Sequence, residues 1–403
     1  MDVSKMKQIV RVSPHQFEEC RDYLVKGRKV LEETYAAVES QVLNNQIYEL
    51  FDQHFGHLGQ IQEIHEVFGG YTNRSFGVLI ERDGQRTDYF VRKYKAEATD
   101  NDVAMEHALI AHVLANGFEE AAGIYPTADG RTFVRLNELK NGKTVSRVFT
   151  VYRFLRGLDK YTWIENKSTP REFVNLGALL ARYHKAAATF VPADDQRKTE
   201  PKVRALIPDF VRIFKQRAAQ PLETLFHANF NAVLPAILGY MERFAVSPEE
   251  YGALLEVPVH GDYHAGNVKF DGEETVGLFD FDWSKVDARI FDVCLGLVYC
   301  CGSWDMENDG ALRLEDCRNF VRGYNGVLKD APALALSPVE RRVFVRMLAG
   351  AHFYLIYWLT ELWYYLDADN INSYEALSYL THFLRGLNWL ETNAEALQEI
   401  VGS

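Results

Sequence analysis

The segment Val259-His260-Gly261-Asp262-Tyr263-His264-Ala265-Gly266-Asn267-Val268, followed by Gly277-Leu278-Phe279-Asp280-Phe281-Asp282-Trp283, is where residue types and spacing can do chemistry. It sets a carboxylate, an amide five positions on, and a second carboxylate at the end of an apolar run. ATP-dependent phosphoryl transfer asks for these groups. One Asp orients the attacking hydroxyl and accepts its proton, while an Asn and a second Asp hold magnesium against the phosphates. Singly, Gly-Asp pairs and loop Asp or Asn residues are turn formers. Turn chemistry does not, however, ask for these types at these offsets.

A second chemistry is open to the same stretch. His260, Asp262 and His264 alternate, so on a strand they share a face, and imidazole with carboxylate suits zinc or iron. Gly-Asp-Tyr-His also resembles the Gly-Asp-x-His element of metallophosphoesterases. A downstream Gly-Asn-His-Asp element is missing, and the upstream Asp52-Gln53-His54 reads as helical. This leaves a metal-dependent hydrolase as a remote alternative.

The elements that must position these groups follow from pattern. At 403 residues the chain exceeds the roughly 250–300 residues of one core. We expect a helical extension over 1–55, a first lobe over 56–155 and a helical lobe over 156–403. Short alternating runs predict strands at Ile61–Val67, Arg74–Ile80, Thr87–Tyr94, Thr132–Glu138 and Ser146–Phe154. A helix over Asp102–Asn116 completes a five-strand antiparallel lobe. The glycine turn Gly69-Gly70-Tyr71-Thr72-Asn73 lets backbone N–H groups close over phosphates. Alternation allows only one of Arg92 and Lys93 to face a cleft, and Glu106 on the helix is placed to hold that cation. In Tyr152-Arg153-Phe154-Leu155-Arg156-Gly157 the chain leaves the lobe, and backbone groups there can meet an adenine edge.

Beyond Gly157 the pattern is helical. Thr169-Pro170-Arg171-Glu172 is a capping box, His184 reads as a hydrogen-bonded core histidine, and Asp292 as a brace for the reactive loop. Tyr354, Trp358, Glu361 and Tyr365 share one helical face. Ordinary packing is the favoured reading of that stripe, and an aromatic box for a substituted ammonium, helped by Asp367 and Asp369, is the other.

Composition narrows the partners. A net charge of -12 argues against nucleic acid or an anionic membrane, and it suits plain solubility or a cationic small molecule. Cys20, Cys294, Cys300, Cys301 and Cys317 are odd in number with no C-x-x-C spacing, as reduced thiols in a cytoplasmic protein would be. No signal peptide is expected at the N-terminus, and the apolar run Phe353–Leu366 reads as too short to span a bilayer.

His260 to Asn267 with Phe279-Asp280-Phe281-Asp282 resembles the aminoglycoside phosphotransferase / choline kinase family, which also includes homoserine, methylthioribose and hydroxylysine kinases. The offset from Asp262 to Asn267 is that of H-R-D-x-x-x-x-N in protein kinases. Gly69 to Asn73 resembles the family's nucleotide loop, and Val91-Arg92 its strand end, which favours Arg92 over Lys93. Glu106, Leu180-Ala181-Arg182-Tyr183-His184 and Asp292 match further family elements in order. The resemblance covers about residues 60–300.

It implies an α+β, protein-kinase-like bilobal fold binding ATP and Mg2+. Asp262 is then the catalytic base, Asn267 and Asp280 are magnesium ligands, and Asp282 is a second-metal or substrate contact. Gly69, Gly70, Asn73, Arg92, Lys93, Glu106, Tyr152 and Phe154 form the nucleotide side. The implied acceptor is the hydroxyl of a small amine-bearing metabolite such as homoserine, choline or a related amino alcohol. Aminoglycosides rank behind, because Arg153 stands where those enzymes have an acidic hinge residue. A catalytically silent nucleotide-binding module is the remaining alternative.

Overall fold

The computed structural model describes residues 45–67, 73–140, 143–194, 196, 198–364 and 371–402. Gly69, Gly70, Tyr71 and Thr72 of the glycine turn lie outside them, as do Cys20, Tyr365, Asp367 and Asp369. The described chain forms two units. One holds residues up to Arg156 with Pro192–Lys198, and the other holds Gly157–Val191 and the chain from Thr199.

In the first unit, strands β1 (Gln60–Val67), β2 (Arg74–Arg82), β3 (Gln85–Lys93), β4 (Ile124–Tyr125), β5 (Val134–Lys140) and β6 (Lys143–Arg153) form one antiparallel sheet. The order is β1-β2-β3-β6-β4, with β5 also on β6. Five strands were expected; β4, at two residues, is too short for periodicity to reveal. Left-handed Asp83 and Gly84 turn β2 into β3, the geometry a tight hairpin requires. Alternate residues Phe76, Val78, Ile80, Tyr89 and Val91 then bury one face. That face is covered by Ile47 and Leu50 of helix α1 (45–50) and by Phe51 and Phe55 of the π-helical turn Phe51–Phe55. The described end of the expected extension is therefore part of the sheet's own core. Helix α2 (Asp100–Ala115), capped by Thr99, contributes Val103 to a second cluster with Tyr94 and Val148.

The second unit is built on helices α3 (Pro170–Ala187), α4 (Val203–Ala218), α5 (Leu225–Arg243), α6 (Pro248–Gly252), α7 (Arg289–Cys301), α8 (Leu314–Leu328), α9 (Pro338–Tyr364) and α10 (Ser373–Gly402). Two small antiparallel ribbons lie among them, β7 (Glu256–Val259) with β10 (Lys285–Ala288), and β8 (Val268–Asp271) with β9 (Glu274–Leu278). Helix α3 starts on the Thr169/Glu172 capping box. It crosses α8 at two glycines. A Cβ on Gly177 would lie 1.9 Å from the Phe320 carbonyl oxygen, and one on Gly323 1.9 Å from that of Val174. Only glycine permits such backbone approach. Helix α9 is longer than its apolar run suggested and has the length and composition of a membrane span, but 83% of its most apolar window is buried in this unit. It is a core helix.

Candidate active site

Strand register brings the candidate residues onto neighbouring loops. Val259 pairs with Lys285 in one ribbon and Val268 with Leu278 in the other. The loops 260–267 and 279–284 are therefore tied at both ends. At one end the Phe279 amide donates to the Asn267 carbonyl at 3.1 Å; at the other, the Ser284 hydroxyl donates to the His260 carbonyl at 3.2 Å. Asp262, Asn267, Asp280 and Asp282 all lie on these two clamped loops. Gly261, at φ +79°, makes the turn into Asp262, and a Cβ there would meet the Trp283 carbonyl oxygen at 2.5 Å. Asp280 is also left-handed, at φ 69° and ψ 56°. For a non-glycine residue this costs of order 1–2 kcal/mol, and such strain gathers at functional sites.

A buried carboxylate holds the first loop. Asp292, in the first turn of α7, accepts from the His260 amide at 2.8 Å, the Gly261 amide at 2.9 Å and the His184 Nε2–H at 3.0 Å. Burial pushes its carboxyl up, but the His184 and His260 interactions outweigh this and hold it below the usual range. His184 is buried and kept neutral mainly by desolvation. Its Nδ1 accepts from the Tyr324 hydroxyl of α8 at 2.8 Å. The close α3–α8 crossing thus serves the loop through Tyr324, His184 and Asp292.

His260 is likewise buried, with its pKa lowered by desolvation. Its Nε2–H donates to the Phe279 carbonyl at 3.0 Å, and Nδ1 accepts the Asp262 amide at 3.3 Å. Both ring nitrogens are committed within the loops, so His260 is not a metal ligand. Among the described residues no group of three His, Cys, Asp or Glu side chains is arranged to hold a metal. The hydrolase alternative loses its ligand set.

Asp262 keeps 23% of its side chain exposed. The Asn267 side-chain amide donates to the Asp262 carbonyl at 2.9 Å and to its Oδ2 at 3.2 Å. His264 Nε2 stands 3.6 Å from the same oxygen. Sequence analysis did not single out Tyr299, whose phenol is pushed well above its ordinary range by burial first and by the Asp262 charge second. It lies seven residues beyond Asp292, two helical turns along the same face of α7, and that spacing was the available signal.

In the sheet unit, β3 separates its two cations by alternation. Lys93 ion-pairs with Glu138, which also takes Arg147 at 2.7 Å. Arg92 is buried with its guanidinium 3.7 Å from Glu106. Glu106 is 1% exposed, so it is no surface glutamate. The Tyr94 hydroxyl donates to one of its oxygens at 2.8 Å and the Tyr152 hydroxyl to the other at 2.9 Å. Tyr152 therefore differs from its expected part as a connector residue. Its backbone is paired with Phe90 and Ile124 inside the sheet, and its side chain serves Glu106. Phe154 lies one residue past β6 and is half-buried. Arg153 donates to the carbonyls of Glu119 and Ala121, both at 2.7 Å. Asn73 accepts the Lys95 amide at 3.0 Å, tying the end of the glycine turn to the residues after β3.

The α9 stripe resolves into two parts. Glu361 is ion-paired with Arg217, whose guanidinium also reaches Thr360, so its charge is used in packing. Tyr354 donates to Glu200 at 3.1 Å, and Trp358 meets Trp283, next to Asp282, at 4.2 Å between ring centroids. A second aromatic group comprises half-buried His264, Tyr299, Trp163 and Trp304, which follow one another edge to face at 5.2, 6.2 and 5.2 Å.

A sequence profile of the phosphotransferase enzyme family (APH) matches residues 63–328. The chain is 27% identical over 340 residues to a homoserine kinase of Ralstonia pickettii (strain 12J), covering 82% of this chain and 89% of that protein. It is 25% identical over 349 residues to a homoserine kinase of Cupriavidus metallidurans, covering 84% and 93%. Among solved structures it is similar to a microcompartment-associated aminopropanol kinase, with a TM-score of 0.61 at 14% identity over 85% of this chain and 96% of that one. A spectinomycin phosphotransferase in complex with ADP and spectinomycin gives 0.56 at 19% identity, over 86% and 98%. The fold is the kinase-like one of these enzymes.

Proposed function

The chain belongs to the phosphotransferase enzyme family and is a small-molecule kinase; from that premise we propose that it moves the γ-phosphate of ATP to the hydroxyl of a small amine-bearing metabolite. The observation that carries this reading is the state of Asp262: an accessible carboxylate, oriented by Asn267, on a loop held rigid by buried Asp292. The acceptor hydroxyl gives its proton to Asp262 as its oxygen bonds to the γ-phosphorus. The bond from that phosphorus to the β–γ bridging oxygen breaks, and ADP leaves.

The donor set fits a hard divalent cation such as Mg2+. Asn267 spends its amide nitrogen on Asp262, which leaves its oxygen as the metal donor, and Asp280 and Asp282 add carboxylates. When bound, the ion supplies charge neutralisation at the phosphates. Arg92, with Glu106 behind it, is the phosphate cation, because Lys93 is spent on Glu138. Gly69 and Gly70, which lie outside the described residues, and Asn73 are assigned to the phosphates, and the connector at Phe154 to the adenine. The acceptor's amine lies against the rings of Tyr299, Trp163 and Trp304, where cation–π attraction is available. The buried, unpaired thiols of Cys294, Cys300, Cys301 and Cys317 suit a cytoplasmic setting.

A coupled ADP-release screen over homoserine, choline, other amino alcohols, sugars and aminoglycosides tests this. Magnesium-dependent turnover on an amino alcohol is expected, and Asp262→Asn should cost about 10²–10⁴-fold in kcat while ATP still binds. Wild-type turnover in that variant overturns the base assignment. ATP binding without transfer to any alcohol would favour the silent module.

A further inference from the structure

We infer that His382 is a positioning residue for the acceptor. Stacked on Trp304 and latched to Asp309, it sets the plane of the indole, and so favours amine-bearing alcohols over neutral ones of the same shape. This rests on the reading that the acceptor's amine lies against Trp304.

Trp304 stands on the loop between α7 and α8, and the residues that follow it, Asp305–Asn308, are exposed. The torsion that turns an indole is broad, so a ring on such a loop keeps one plane only where a neighbour covers it. His382 does so. Its ring centroid is 3.5 Å from that of the indole, and the two planes are 2° apart. Trp163 and Tyr379 meet the same indole at 5.2 and 6.0 Å, near right angles to it. Trp304 stays half-buried, which leaves the face away from His382 to a cation.

His382 is itself fixed. It is 3% exposed, and its Nδ1–H donates to Asp309 Oδ1 at 2.6 Å, while Arg385 donates to the other oxygen at 2.6 Å. Tyr379, His382, Arg385 and Gly386 share one face of α10 at helical spacing. Gly310, at φ +84°, approaches that face so closely that a Cβ on it would lie 2.6 Å from the Gly386 nitrogen and the His382 carbonyl oxygen. The loop does not need this latch to close. The Ser303 amide donates to the Ala311 carbonyl and the Gly310 amide to the Ser303 carbonyl, both at 2.8 Å. What the latch adds is the orientation of one ring.

The test compares two acceptors in steady-state kinetics: the best amino alcohol of the ADP-release screen, and its neutral analogue with methyl in place of ammonium. His382→Ala should raise KM for the amine about 5- to 10-fold. It should leave kcat, KM for ATP and KM for the neutral analogue within about twofold. His382→Phe, which restores a ring to the stack without the Asp309 bond, should recover most of the amine KM. Asp309→Ala leaves both rings in place and frees the latch; it should raise the amine KM about threefold, and it decides the matter if His382→Ala does not fold. An equal rise in KM for both acceptors overturns the inference, because it marks a general change of pocket shape. An unchanged amine KM in the His382 and Asp309 variants, with a raised one in Trp304→Ala, overturns the inference alone. An unchanged amine KM in Trp304→Ala overturns the placement of the amine beneath it, so the two failures are distinguishable.

Discussion

Glu106 of the sheet unit and Asp262 of the helical unit are both hydrogen-bonded carboxylates, yet they are treated in opposite ways. Glu106 is sealed from water, with one hydroxyl on each oxygen and Arg92 nearby. Asp262 is left partly open, while the demand for a buried anchor in its unit is met by Asp292, which is 0% exposed and takes three N–H donors. A fully satisfied buried carboxylate fixes geometry, because releasing any partner strands a polar group out of water. A partly satisfied, accessible one can accept a proton. The contrast separates the residues that hold geometry from the one proposed to react.

The widest separation should appear between activity and stability. Asp262→Asn is expected to remove about 10²–10⁴-fold of kcat and to leave the urea midpoint nearly unchanged; a large loss of stability would erase the contrast. Asp292→Ala should do the reverse first. It leaves two buried amides and the neutral His184 Nε2–H without their acceptor, costing about 3–5 kcal/mol in urea unfolding at roughly 1–3 kcal/mol for each stranded donor. Glu106→Gln keeps the shape but turns one acceptor oxygen into an NH2 donor, so only one tyrosine hydroxyl keeps its acceptor, and it loses the charge beside Arg92. It should cost about 1–2 kcal/mol and raise KM for ATP, whereas Lys93→Met should leave that KM within about twofold, as a phosphate role for Arg92 alone requires. If Lys93→Met raises it more than Arg92→Met does, the cation has been assigned to the wrong neighbour.

The smallest effect is one of pH. Burial, with the Arg92 charge, lowers the His107 pKa to about 3, and burial lowers that of His352 in the helical unit to about 4. An unfolded His titrates near about 6.5. Below that value the unfolded chain binds a proton that the folded chain refuses, so stability falls as pH drops from about 6.5 towards the folded value and is complete above it. His107→Gln should flatten the acid limb of the stability profile and leave its slope above about pH 7 unchanged. A profile unaltered below pH 6 would mean that His107 titrates alike in both states.

The strands were legible because a period of two is written in neighbouring residues, and the capping box at Thr169 because its partners are three apart. β4 was not, since Ile124 and Tyr125 become a strand only by pairing with Val151 and Tyr152. Tyr152 was placed in the connector because it ends an alternating run; that the run continues as a paired strand was settled by Ile124 across the sheet. The Glu361 carboxylate looked free for a ligand because its partner, Arg217, is 144 residues away.

Local pattern was enough for the residue set Asp262, Asn267 and Asp280, for the alternation that splits Arg92 from Lys93, and for the helix faces that carry His184 and Asp292. Chain folding chose which cation meets Glu106 and clamped the two loops by the Val259–Lys285 and Val268–Leu278 pairs. The reason is range. Periodicity and offset are properties of a few adjacent residues, whereas a charge pair or a hydroxyl aimed at a carboxylate depends on register and crossing between elements far apart in the chain.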